Sequence, residues 1–204
     1  EKKGKSIAMI IAHYGSYEWL LLMNRHLTTH TGFGIYKRIN NKYFDELVRK
    51  IRGRFNAVLI DTKETIPTIK KNQKEGNLGV YGFISDQSPK IYKVPYWGMF
   101  FGMEVPVHTG AEMLAKKHDM NVMFVMGQRV KRGHYKATFI PYNDDPQTVP
   151  NFRIMDTFLR MLEQQIIKEP AYYLWTHKRF KHRRNNPPAI GETNLSPSDL
   201  EPQP

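Results

Sequence analysis

Residues 6–12 (SIAMIIA) form an apolar run of the kind that marks a strand buried on both faces. The run stops at His13, and Tyr14-Gly15-Ser16 follow. Over 16–27 the apolar residues Trp19, Leu20, Met23 and Leu27 recur at helical spacing. A strand is then predicted over 32–38, and a helix over 43–52 with Phe44, Leu47, Val48 and Ile51 on one face. Residues 57–61 read as a short strand. A helix follows over 66–75, with Thr65 as its N-cap and Gly76 as its stop, then a strand over 78–86. Thr109 and Glu112 have capping-box spacing and open a helix that runs to His118. Strands over 121–130 and 135–142 read as a hairpin joined through KRGH. The helix over 152–168 carries Met155, Phe158, Leu159, Leu162 and Ile166 on one stripe. Strands alternating with helices predict an α/β domain with a mixed, mostly parallel sheet flanked by helices and one antiparallel hairpin.

The 204 residues are enough for one domain with a core of its own. Residues 185–204 carry five prolines and no aromatic side chain, so they are expected to be a disordered tail behind a folded unit of residues 1–184. The first residue is Glu1 and a core strand begins by Ser6, so an upstream part, anchor or targeting segment included, is expected to precede this chain. Thirty-one Lys and Arg against nineteen Asp and Glu give a formal net charge of +12, which favours an anionic partner without choosing among nucleic acid, acidic protein, phosphorylated substrate and anionic membrane surface. The chain has no cysteine, so thiol nucleophiles, thiolate metal sites and disulfides are excluded. No metal site is expected: His26 and His30 have helical pair spacing, but no third ligand accompanies them. GNLGVYG at 76–82 is neither a Walker loop nor a dinucleotide fingerprint, and no cofactor is expected.

A strand followed by a helix places His13 at the carboxyl end of the sheet, where open α/β folds hold ligands. Glu18 falls in the first turn of that helix. A carboxylate on one ring nitrogen would fix the tautomer and free the other nitrogen to take a proton. The same spacing also fits a plain strand cap beside a helix-favouring glutamate. Gly15 permits close backbone approach, and the exposed helix start offers N–H groups to a developing oxyanion.

AHYGSYEW at 12–19 resembles the H-x-x-x-x-E/D signature of the lipid A biosynthesis acyltransferases, the lauroyl/myristoyl transferase family. Four further pieces follow in that family's order: GIYKRINNKYFDELVRKIRGRFN, ISDQSP, FFGMEVPVHTGAEMLA and YLWTHKRFK. Together they cover roughly residues 6–184. The resemblance implies a glycerolphosphate-acyltransferase-like fold and transfer without a covalent intermediate. His13 would deprotonate a hydroxyl of the acceptor, Glu18 would orient His13, and the alkoxide would attack an acyl thioester. It further implies acyl carrier protein as donor, a phosphorylated glycolipid as acceptor, and work at the cytoplasmic face of the bacterial inner membrane. The basic surplus suits both anionic substrates and an anionic membrane surface. The chain itself has no G-x-S-x-G elbow around any serine.

Lys37 stands where the family has the arginine of Tyr-Arg-Pro, with Arg38 beside it, and either is a candidate for the phosphorylated substrate. Arg52 and Arg54 match a second basic site, with Asn56 in place of the family's glycine. The resemblance puts Asp86, of SDQSP, in the cleft, supporting a substrate hydroxyl or a basic side chain; by its neighbours alone it reads as a turn cap. Residues 95–107 (PYWGMFFGMEVPV) suit core packing, an acyl groove, or both. Residues 177–184 (HKRFKHRR), beside Tyr173 and Trp175, read as a solvated face or an interfacial anchor. Ala171 and Tyr172 replace the family's Glu-Gln. Two rival functions remain. One is an acyltransferase of another glycolipid or phospholipid using acyl-CoA. The other is a basic nucleic-acid-binding module, which leaves His13 and Glu18 without a role, so no nucleic acid is expected.

Overall fold

The structure is a computed structural model that describes residues 4–184. The tail expected over 185–204 lies outside the described residues. In chain order the strands are β1 (Ile7–Ile11), β2 (Thr31–Tyr36), β3 (Val58–Asp61), β4 (Gly79–Ile84), β5 (Trp97–Phe100), β6 (Met103–Pro106), β7 (Asn121–Lys131) and β8 (His134–Pro141). The α-helices are α1 (Lys42–Arg52), α2 (Thr65–Lys74), α3 (Gly110–Lys117) and α4 (Arg153–Lys168). Six strands make one sheet in the order β3-β2-β4-β1-β7-β8, and β5 and β6 form a separate antiparallel pair. In the large sheet β1, β2, β3, β4 and β7 run parallel and β8 returns antiparallel to β7. This is the mixed, mostly parallel α/β architecture that the alternating pattern predicts.

β1 is central and all five of its residues are buried, because its two neighbours and both sheet faces are covered. On one face, Ala8, Ile10 and Ala12 join Phe124 and the α4 residues Met155, Phe158, Leu159, Leu162 and Ile166 in the main core. Phe100, Val105 and Val107 enter the same core, so much of the apolar stretch over 95–107 is packing. On the other face Ile7, Met9, Ile11, Val80 and Val125 are covered by Leu20, Met23 and Leu27.

Those last three belong to or follow the segment Tyr17–His26, which winds as a 3₁₀ helix instead of an α-helix. Its tighter winding eclipses side chains three apart, so Leu20 and Met23 stack in line over the sheet. Gly32 lets this segment lie close: a Cβ there would meet Asn24 Oδ1 at 1.6 Å. The capping box expected at Thr109 does not form, since Thr109 makes no side-chain cap. Glu112 is fully buried and caps α4 instead, accepting from the N–H groups of Phe152 and Met155 (3.0 Å for the latter). Phe152, whose N–H donates to Glu112, sits in the left-handed region at φ 74°.

Candidate active site

The carboxyl ends of β1 and β4 lie side by side, with Ile11 opposite Ile84. The next residues out are His13 and the turn Ser85-Asp86, and Ser85 N–H donates to Ile11 C=O at 3.0 Å. This pairing puts Asp86 Oδ1 2.7 Å from His13 Nδ1 and 3.1 Å from the His13 backbone N–H. Asp86 is almost wholly enclosed at 1% exposure, whereas the imidazole keeps 18% of its side-chain surface open. With Nδ1 donating to the carboxylate, Nε2 carries a lone pair, and it has no partner among the described residues. The Tyr17 ring meets His13 edge-on at 4.9 Å and steadies its plane. A basic nitrogen thus faces solvent while a buried carboxylate orients it from behind, the arrangement of a general base.

Glu18, expected to orient His13, is engaged elsewhere. Its two carboxylate oxygens accept from Arg52 Nε (2.9 Å) and Arg52 Nη2, a bidentate grip across the start of the 3₁₀ segment. Among the described residues no hydrogen bond joins Glu18 to His13. The physical reason is directional: His13 points back to the end of β4, while the 3₁₀ winding turns Glu18 toward the end of α1. This pairing raises the Arg52 pKa, the hydrogen bond to Glu18 being the largest cause. Burial pushes the Tyr17 phenol up, Glu18 adds to the rise, and Arg52 opposes it.

Gly15 has φ +58°, a conformation that favours glycine, but a Cβ there would meet nothing within 4 Å. It serves the turn rather than a close approach. Its N–H donates to Tyr172 C=O at 2.8 Å and so is not a spare oxyanion donor. Lys37 and Arg38 sit exposed at the end of β2, which β4 separates from β1. Arg38 Nη2 lies 3.2 Å from Glu64 Oε1, and its backbone N–H donates to Asp61. Arg54 is exposed in the turn Gly53–Phe55 that follows α1. The structure therefore gathers His13 with Asp86 and Glu18 with Arg52, and leaves Lys37, Arg38 and Arg54 on the surrounding surface.

A mostly apolar cavity of about 160 Å³ opens beside His13. Ile11 and Val125 belong to its sheet side, Leu20 and Trp19 to the 3₁₀ segment, and Tyr135 to β8. Tyr17, the residue against His13, lines it too.

Sequence reasoning missed that residues 172–179 pack against this site. Tyr173 and Arg179 are buried, at 5% and 2% exposure, inside a stretch whose composition reads as surface. Nothing in the run HKRFKHRR singles out which cation turns inward.

A sequence model of the bacterial lipid A biosynthesis acyltransferase family matches residues 1–182. The lipid A biosynthesis lauroyltransferase of Escherichia coli (strain K12) is 25% identical over 159 residues, covering 78% of this chain and 51% of its own length. The chain thus spans about half the length of that curated relative.

Proposed function

Because this chain belongs to the bacterial lipid A biosynthesis acyltransferase family, we propose that it moves a fatty acyl chain from a thioester to a hydroxyl of a lipid A precursor, with His13 as general base and Asp86 as the group that orients it. The observation that carries this reading is the 2.7 Å contact between His13 Nδ1 and a buried carboxylate, with Nε2 left open. The acceptor hydroxyl gives its proton to Nε2 and its oxygen attacks the thioester carbonyl. The tetrahedral oxyanion collapses, the C–S bond breaks, and the departing thiolate takes the proton back from the imidazolium. We assign the developing oxyanion to N–H groups at the start of Tyr17–His26. The cavity suits the acyl tail, since its lining is mostly apolar and includes Tyr17, which packs against His13.

The donor we favour is an acyl carrier protein thioester, and the acceptor a phosphorylated glycolipid; the net charge of +12 attracts both. Lys37, Arg38 and Arg54 form the basic approach for the phosphates. Arg52 is a further cation close to the site, held by Glu18.

The membrane partner we propose meets α1. No helix among the described residues is long and apolar enough to cross a membrane. α1 nevertheless turns its polar side inward, with Asp45 accepting from Ile39 N–H (2.9 Å) and the Tyr36 hydroxyl (3.3 Å) and Arg52 on Glu18. Tyr43, Phe44, Leu47 and Ile51 point outward and are 49–83% exposed. A helix with an outward apolar face and Lys42, Arg49 and Lys50 beside it suits an anionic bilayer surface. We place that surface at the cytoplasmic face of the bacterial inner membrane.

Mass spectrometry of the full-length protein in detergent micelles tests the reading. The mixture holds a lipid A precursor and acyl carrier protein thioesters of several lengths. Wild type should add one acyl mass and His13→Ala none. Transfer that survives His13→Ala would overturn the base assignment. Transfer to other glycolipids but not to this precursor, or from acyl-CoA alone, would move the protein to the runner-up substrates.

A further inference from the structure

The segment 172–179 closes over the site from the far end of the chain, and its bonds fall on the two residues of the proposed base. Tyr173 bridges to Tyr14 in antiparallel fashion, Gly15 N–H donates to Tyr172 C=O at 2.8 Å, and Leu174 N–H donates to His13 C=O at 3.2 Å. These bonds fix the His13 backbone. On the other side the segment clasps the turn that carries Asp86. Ser88 N–H donates to His177 Nε2 at 3.0 Å and Ser88 Oγ donates to Arg179 C=O at 2.8 Å.

Two buried side chains reach inward from this clasp. The Tyr173 hydroxyl faces the Asp86 carboxylate; burial, then that carboxylate, push the phenol's pKa up. Arg179 is 2% exposed. Its Nη1 donates to Pro106 C=O (3.0 Å) and Ser88 Oγ (3.3 Å), and its guanidinium lies 5.3 Å from the centre of the Phe100 ring. Nε and Nη2 have no hydrogen-bond partner among the described residues. A guanidinium this deep, with no bond to a carboxylate, is costly unless an anion compensates it through space. Desolvation lowers its pKa, and the opposing influences are Tyr173 and Asp86. The other charged or titratable groups in this shell include His108, His177 and Lys181, none of which can carry the negative charge that Arg179 lacks; desolvation lowers the pKa of both histidines first, and Arg179 adds to it.

We propose that Tyr173 and Arg179 are positioning residues for the His13–Asp86 pair, Tyr173 fixing the carboxylate's orientation and Arg179 supplying its buried counter-charge. The proposal rests on the reading of His13 as the base, and it gives the YLWTHKRFK motif a place in the site instead of only at a membrane. Remove the Arg179 charge and nothing of opposite sign holds the buried carboxylate in place against Nδ1. The fixed acceptor at Nδ1 is then lost, the ring proton moves to Nε2, and the nitrogen that should receive the substrate's proton already holds one.

The test reads that proton without requiring turnover, so its failure and the failure of the acyl-transfer reading are distinguishable. The full chain is labelled with ¹⁵N-histidine, and the tautomer of His13 is read by NMR at about pH 9, above the ordinary histidine range. His13→Gln identifies the signal among the eight histidines. Wild type should be the Nδ1–H tautomer. Arg179→Met should switch it to Nε2–H, Arg179→Lys should restore most of the Nδ1–H form, and Tyr173→Phe should give a mixture. An unchanged Nδ1–H tautomer in folded Arg179→Met and Tyr173→Phe would overturn the proposal, as would an Nε2–H wild type. If Arg179→Met fails to fold, Arg179→Lys against Tyr173→Phe decides: a shift in Tyr173→Phe alone supports the clasp, and no shift in either refutes it.

Discussion

Two carboxylates flank the candidate site, and they differ in burial and in partner. Asp86 is enclosed and faces an imidazole 2.7 Å away. Glu18 is 41% exposed on its side chain and is gripped by Arg52, itself partly open. A buried carboxylate acts strongly on its partner because little solvent screens it, whereas an exposed ion pair contributes little beyond holding two chains in place. The inner pair is therefore suited to proton transfer and the outer pair to tying the Tyr17–His26 segment to α1.

The largest expected effect separates the pairs by coupling. His13→Ala and Asp86→Ala should each lower kcat/KM by about a thousandfold or more, and the double variant should be no worse than His13→Ala alone, as for residues that act as one unit. Multiplying losses would break the inner pair. The outer pair's tie to α1 predicts a second effect, on membrane affinity. Phe44→Ser, Leu47→Ser and Ile51→Ser combined should weaken binding to anionic vesicles by at least about tenfold, since each buried apolar side chain contributes about 1 kcal/mol or more. Undiminished binding by flotation would mean that another surface faces the bilayer.

Within the outer pair, Glu18→Gln and Arg52→Gln should each cost about tenfold in kcat/KM, with a double variant close to either single, because the coupling of a gripped pair is lost once. The smallest effect concerns the clasp. His177 Nε2 accepts from Ser88 N–H, so the ring must be neutral there, and desolvation holds its pKa below the usual value. The unfolded chain then binds the extra proton near pH 6.5, so this stabilisation is complete above that pH and is lost as pH falls through the lower folded value. The urea midpoint should drop between pH 7.5 and 5.5 by less than about 1 kcal/mol in equivalent stability, and the drop should shrink in His177→Gln.

The two amphipathic helices show how far the pattern could be read. Period alone finds α4 and α1 equally well. α4 buries Met155, Phe158, Leu159, Leu162 and Ile166, while α1 turns Phe44, Leu47 and Ile51 outward. Period locates a stripe but not what covers it, because covering depends on the sheet order and on which polar partners, here Glu18 and Tyr36, wait on the inner side. Central β1 was legible for the opposite reason, since an unbroken apolar run leaves only one place to go. Within the site, His13 was legible as the polar break at a strand end. Its contact with Asp86 was not, because it depends on β1 and β4 being neighbours across 73 residues of chain. Glu112 and Arg179 were illegible for the same reason, each meeting its partners only after distant elements pack.

The most direct measurement compares kcat/KM for Asp86→Asn and Glu18→Gln in one preparation of the full-length protein. Each change removes a charge and leaves the shape nearly intact, so each isolates what the carboxylate does. The account predicts a loss of about a hundredfold or more for Asp86→Asn, the scale expected when a general base loses its orienting anion, and about tenfold for Glu18→Gln. A larger loss for Glu18→Gln than for Asp86→Asn would contradict it.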